Sequence, residues 1–163
     1  MRIVAFYLVL LAGQGLLSAA FGTLPAPDLF VLAMLTLLGR LVSWQLVLLA
    51  YAIGMLQDVI GFGVLGLHAI ALAAAALAAT VVRMQLSGSG MLERLMIVVA
   101  AQAGKWLVAA SLLVWLSGTP EDSVMLLAVS VTETVLTAAL ALLVLPWADA
   151  LLNRAKMLPK ELL

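Results

Sequence analysis

Two ionisable residues stand inside otherwise apolar stretches of this sequence, Lys105 within residues 95–116 and Glu133 within residues 124–145. Opposite charges in two consecutive apolar runs can either hold each other as an ion pair or handle a proton or a charged substrate. A mutually neutralising pair needs no ligand. The arrangement therefore favours a structural Lys105–Glu133 pair that fixes helix register, with Gln102 one turn from Lys105 as a further hydrogen-bonding group. Other chemistry is poorly provided for. The chain has no cysteine, which excludes disulfides, thiolate metal sites and cysteine nucleophiles. His68 is the only histidine, with Asp58 the one nearby carboxylate, so it reads as a hydrogen-bonded residue rather than a metal ligand. No Ser/His/Asp set, phosphate-binding glycine loop or paired-carboxylate motif can be assembled, and neither catalysis nor a cofactor is expected.

The elements that must position these charges are membrane spans. Of 163 residues, 66% are apolar and 10% charged, against roughly half and about a quarter in an ordinary globular domain. That leaves too little polar material to cover a water-facing exterior, so lipid is the expected solvent. Lys plus Arg equals Asp plus Glu, 8 against 8, and no basic excess points to nucleic acid.

Residues 3–21 form an uncharged run of 19, long enough to cross ~30 Å of hydrocarbon. Arg2 and the small residues Ser18-Ala19-Ala20 also fit a signal peptide, but the run is long for one and the rest of the chain is equally membranous. Residues 22–28 (GTLPAPD) break the chain and offer Asp28 as an N-cap. The next 32 residues, 29–60, contain Arg40 and Asp58. As one helix they would measure about 48 Å, so two short crossings of about 16 residues, pivoting at Gly39-Arg40, are expected. Next come a glycine turn at 61–63, an alanine-rich span at 64–82 and a polar connection at 83–94 with a Ser87-Gly88-Ser89-Gly90 linker. The last two spans, 95–116 and 124–145, flank a short acidic loop with Glu121 and Asp122. Pro146 then opens a tail, 146–163, in which Trp147, Leu151, Ala155 and Leu158 recur at helical spacing, an amphipathic interfacial helix. Two units are expected, a transmembrane domain over 1–145 and a cytoplasmic tail over 146–163.

The positive-inside rule decides the number of spans. With six spans and both termini in the cytoplasm, Arg2, Arg40, Arg83, Arg94, Arg154, Lys156 and Lys160 all face inward, while the outer connections carry Asp28, Asp58, Glu121 and Asp122 and no Lys or Arg. Five spans would leave Arg40 in lipid, at ~2.5–3.5 kcal/mol on the insertion scale. The zero net charge then separates into an inner surplus of four positive charges, an outer surplus of four negative ones and a neutral core. Small residues at Gly15, Ser18, Ala19 and Gly22 on the first span, and the alanine face of the fourth, suit close helix contacts, either within the bundle or with a partner helix.

Ala26-Pro27-Asp28-Leu29, then Gly54-Met55-Leu56-Gln57-Asp58, Gly61 and Leu65-Gly66-Leu67-His68-Ala69 resemble the signature of MreD, the rod shape-determining membrane protein family. That signature has a Pro-Asp-Leu start to the second helix, a Gly-x-x-x-Asp element, a glycine turn and a Leu-Gly pair, here carried by Pro27, Asp28, Gly54, Asp58, Gly61 and Gly66. Pro120-Glu121 before the last span, Pro146 after it and the basic tail extend the likeness along the chain. Lys105 and Glu133 depart from it. The resemblance implies a non-enzymatic, multi-pass protein of the bacterial inner membrane in the cell-elongation machinery. Its partners would be MreC, the complex of RodA with a class B penicillin-binding transpeptidase and, indirectly, MreB filaments, in control of rod shape and lateral peptidoglycan synthesis. It also implies an all-α fold similar to the six-helix substrate-binding subunits of energy-coupling-factor transporters. That fold supplies the alternative function, a vitamin-binding transport subunit.

Overall fold

A computed structural model of the chain describes residues 2–22, 24–61, 64–86, 90–117 and 123–156. All regular structure in it is helical: α1 (Arg2–Phe21), α2 (Leu29–Leu35), α3 (Ser43–Gly61), α4 (Leu67–Gln85), α5 (Met91–Ser117) and α6 (Ser123–Lys156). Among the described residues, three of these contain stretches long and apolar enough to cross a membrane, Leu67–Gln85, Met91–Leu116 and Met125–Leu151. The architecture is that of an α-helical membrane protein. Pro120, Glu121, Asp122, Lys160 and the Ser87-Gly88-Ser89 part of the linker lie outside the described residues, as does the side chain of Ser18.

The bundle is organised around α2, whose seven residues are all buried, from Val31, Leu32 and Met34 at 0% exposure to Phe30 at 8%. This corrects the expected second span of about 16 residues. After Leu35 the chain tightens into i→i+3 turns, with the N–H groups of Leu37, Leu38 and Arg40 donating to the carbonyls of Met34, Leu35 and Leu37, and Gly39 at φ +79° ends the segment. Seven α-helical residues and about five in tightened turns rise only about 20 Å. Such a segment can sit at membrane depth because protein, not lipid, surrounds it.

Around it, α4 packs against α3 and α5. The alanines make this possible: Ala69, Ala71, Ala75, Ala76 and Ala79 are buried, so the alanine face of α4 serves the protein's own bundle. Two glycines bring the backbones together. A Cβ at Gly54 would stand 2.5 Å from the Ala69 Cα and the His68 carbonyl oxygen, and one at Gly104 would stand 2.8 Å from the Ala78 Cβ. Where lipid is as apolar as leucine, such close packing replaces the hydrophobic drive. The small residues of α1 fare differently, since Gly15, Ala19 and Gly22 are exposed and a Cβ at Gly15 or Gly22 would meet nothing within 4 Å.

The proline expected to open a separate tail does not interrupt the helix. α6 runs for 34 residues with Pro146 inside it. Proline removes one N–H from the ladder, a loss that membrane helices tolerate when neighbours hold the next turn. Here Ala148 is fully buried and Asp149 is gripped by Arg40 and Arg94, at 3.1 and 3.2 Å. The turn after Pro146 thus belongs to the bundle, and residues 157–163 are not described.

Gly54→Ala is expected to cost about 1–3 kcal/mol, because the new methyl meets backbone rather than a side chain that can move. Gly15→Ala, on the uncovered face of α1, should leave stability unchanged or raise it. Thermal unfolding in detergent compares the two, and equal effects would contradict this account of the α3–α4 contact.

Candidate functional site

The N-terminus of α2 collects polar groups from three other helices. Asp28, only 4% exposed, accepts through Oδ1 from the N–H groups of Phe30 and Val31 at 2.9 and 3.0 Å, the geometry of an N-cap. Its other oxygen receives the Lys105 ammonium from α5. Lys105 also donates to Glu133 of α6, so the pair expected from sequence is the centre of a triad with two carboxylates. The backbone N–H of Asp28 donates to Thr137 Oγ1 at 2.9 Å, and that of Leu29 to Gln14 Oε1 of α1 at 2.8 Å. Each group satisfies a donor that the first turn of a helix otherwise leaves open.

Sequence places Asp28 in an outer connection, and the structure moves it into the core. A cap must sit at the first turn it serves, and α2 lies inside the bundle. Gln102 is corrected in the other direction. It is fully buried, but its amide atoms make no hydrogen bond to any described residue, and Lys105 turns to the carboxylates instead. Thr137 and Gln14 join the site without having been expected there. Thr137 follows Glu133 by one helical turn, and Gln14 is the one amide in the first apolar run, so both carry a recoverable signal.

A cavity of about 210 Å³ opens beside the triad, lined by Asp28, Lys105 and Glu133 and also by Gln14, Gln57, His68 and Trp106. Its far wall belongs to a second capping arrangement. Asp58, its side chain fully enclosed, accepts from the backbone N–H groups of Gly66 (2.8 Å), His68 (3.1 Å) and Ala69 (3.3 Å), and pairs with His68 Nδ1 at 2.7 Å. Gly66, at φ +93°, opens α4 without a capping side chain of its own. Asp58 of α3 supplies that cap from across the helix pair. Gly54 lies one turn earlier on the same face, where its missing Cβ lets the α4 backbone come within reach. The Gly-x-x-x-Asp spacing is thereby explained: the glycine sets the separation and the carboxylate bridges it. Gly61 closes α3, and Pro27 is buried just before the Asp28 cap.

Chemically, the arrangement holds helices in register around a small polar cavity with one more carboxylate than cation in the triad. Among the described residues there is no group of three or more His, Cys, Asp or Glu side chains placed to hold a metal ion. Compared with protein families, curated proteins and solved structures, the chain matches none.

Lys105→Met leaves Asp28 and Glu133 buried without their cation and is expected to cost about 3–5 kcal/mol. Adding Glu133→Gln to it should recover part of that loss. A Lys105→Glu/Glu133→Lys exchange should fail to restore stability, because Asp28 then faces a carboxylate from α5. Restoration by the exchange, in detergent unfolding or membrane assembly, would show that Asp28 contributes little. Asp58→Asn keeps the shape but removes the charge and turns one acceptor oxygen into an amide NH2 facing the backbone N–H groups of α4, for an expected loss of about 1–3 kcal/mol.

Proposed function

We propose that the chain is a non-enzymatic membrane scaffold of the MreD kind, which docks the single transmembrane helix of an MreC-like partner. In that role it helps to control lateral peptidoglycan synthesis in the bacterial inner membrane. The observation that carries this reading is how the signature residues are used. Asp28 caps α2 and takes Lys105, Gly54 lets α3 and α4 meet, and Asp58 with Gly66 forms the start of α4. All are engaged in building the bundle. The small residues Gly15 and Ala19 of α1, with Gly22 in the turn after it, remain uncovered and suit a partner helix at close range.

The proposed topology has six membrane segments with both termini in the cytoplasm, the α2 segment counting as a short, protein-enclosed crossing. Its support is the gathering of charges. Arg40, Arg94 and Asp149 meet near the C-terminal end of the α2 segment, with Arg83 donating to Leu38 beside them. Asp58 and His68 lie together at the opposite end of the α3–α4 pair, and Asp28 at the buried start of α2. A path that alternates across the membrane would put the arginine cluster on the cytoplasmic side, in keeping with the positive-inside rule. The reading carries RodA with its class B transpeptidase as further partners, MreB filaments as indirect ones, and a likeness in fold to transporter substrate-binding subunits.

The cavity beside Lys105 favours the second reading, a vitamin-binding transport subunit. Co-purification in detergent separates the two. An MreC-like protein should be retained by the wild-type chain and lost from Gly15→Leu/Ala19→Leu while unfolding temperature is kept. A monomer carrying a tightly bound vitamin would overturn the scaffold reading. For topology, a reporter fused between Ser87 and Gly90 should report a cytoplasmic location, and an external one would remove the six-segment arrangement.

A further inference from the structure

At the far end of α4 from His68 lies a second concave region. Arg83, in the last turn of α4, lays its guanidinium over the Gly39 turn and donates from Nη1 to the Leu38 carbonyl at 3.0 Å. Gly39 is required there by its φ of +79°, and the guanidinium packs into the space that a Cβ would take. Arg40 and Arg94 share Asp149, whereas Arg83 has no carboxylate partner among the described residues. Arg83 also lines a small cavity with Arg94 and Asp149, so three guanidiniums stand against one carboxylate there. The surplus charge borders a second cavity of about 200 Å³ lined by Arg83, Ser43 and Thr80.

Ser43 also borders a wholly different surface. An apolar groove of about 640 Å³ runs between α3 and α4, walled by Trp44, Leu48 and Tyr51 on one side and Ala73 and Leu77 on the other. α4 is one of the helices long and apolar enough to span a membrane, so its last turn lies near a membrane boundary and the groove leads inward from it. Ser43 to Tyr51 covers about 12 Å of helix axis, a substantial part of one leaflet.

We propose that Arg83 and this groove form a binding site for an anionic glycerophospholipid, with the headgroup phosphate on Arg83 and Ser43 and one acyl chain along Trp44, Leu48 and Leu77. Such a site needs only a membrane-embedded protein and is independent of the scaffold reading. Guanidinium binds phosphate through paired, charge-assisted hydrogen bonds, and basic pockets between membrane helices recognise anionic headgroups. A zwitterionic lipid carries its own ammonium beside the phosphate and leaves Arg83 with less to gain. A partner helix could cover the apolar walls, but an apolar helix leaves the guanidinium unmatched. Charge complementarity therefore selects the lipid.

Native mass spectrometry of the purified full chain, equilibrated with equal phosphatidylglycerol and phosphatidylcholine of identical chains, tests the proposal. Phosphatidylglycerol should be retained about tenfold over phosphatidylcholine. Arg83→Gln should bring the ratio close to one, while Arg94→Gln, which removes the same formal charge from a guanidinium held on Asp149 and outside the lining of the groove and its mouth, should leave it in place. Leu77→Trp fills the groove with Arg83 intact and should lower retention of both lipids. Equal losses in Arg83→Gln and Arg94→Gln would reduce the effect to bulk charge and overturn the site. Displacement of the lipid by millimolar inorganic phosphate would overturn it in favour of a bare anion site. Because the chain has no cysteine, Leu77→Cys supplies a single reporter. A disulfide between copies in membranes would assign the groove to a second copy and overturn the lipid reading.

Discussion

A helix enclosed inside a membrane protein must have both of its ends satisfied by protein, and the whole bundle answers to that requirement at α2. Apolar side chains and hydrocarbon offer no bonds to the open N–H groups of the first turn or the open carbonyls of the last, and each group left bare costs several kcal/mol. At the first turn Asp28, Gln14, Thr137 and Lys105 converge from four separate stretches of chain. At the last, Thr36 and the turns after it take the open carbonyls, Thr36 Oγ1 donating to Ala33 and the N–H groups of Leu37 and Leu38 to Met34 and Leu35. Arg40 Nε and Arg83 Nη1 then donate to the carbonyls of Thr36 and Leu38 that those turns leave open. A seven-residue helix is too short to stand on its own hydrogen bonds. Its neighbours hold it by the ends, and in doing so they are themselves fixed in register.

The same requirement recurs at α4 with a different solution. α4 opens on Gly66, which has no side chain to offer, so Asp58 reaches across from α3 to three backbone donors and His68. This works only if the helices are close, and Gly54 one turn away makes them so. Capping and packing are therefore one device. On the other side of α4, Gly104 of α5 does the packing half of the work against Ala74 and Ala78, where no cap is needed because both helices are in mid-course.

How much of this is legible in the sequence depends on whether a signal is local. Apolar run lengths locate most helices, and GTLPAPD marks the break before α2, because a proline and a cap act on their immediate neighbours. The Lys105–Glu133 pair is readable from depth alone, since a short loop between two helices makes equal distances from the loop equal heights. Asp28 as the second carboxylate is not readable in that way. It lies beside a proline-rich break that looks like surface, and only the burial of α2 brings it to Lys105. The length of α2 is hidden for the same reason: apolar composition cannot distinguish a segment facing lipid from one enclosed by protein. Pro146 misleads in the opposite direction, because the contacts that carry the helix past it, Asp149 with Arg40 and Arg94, come from distant segments.

Moving Asp28 inward also alters the charge balance of the core. From sequence alone the interior holds one cation and one anion, and with Asp28 it holds two carboxylates against Lys105. An uncompensated charge at that depth would be expensive. Asp28, however, is not balanced by Lys105 alone. Its Oδ1 takes two backbone N–H groups of α2, and the start of a helix carries a partial positive charge of up to roughly half a unit. Those donors are open because α2 begins there, so the carboxylate that stands in excess is the one the helix itself requires. The triad is thus better described as two linked pairs, Glu133 with Lys105 and Asp28 with the end of α2, sharing one ammonium between them. On that view Lys105 serves less to neutralise a charge than to tie α5 and α6 to the buried helix.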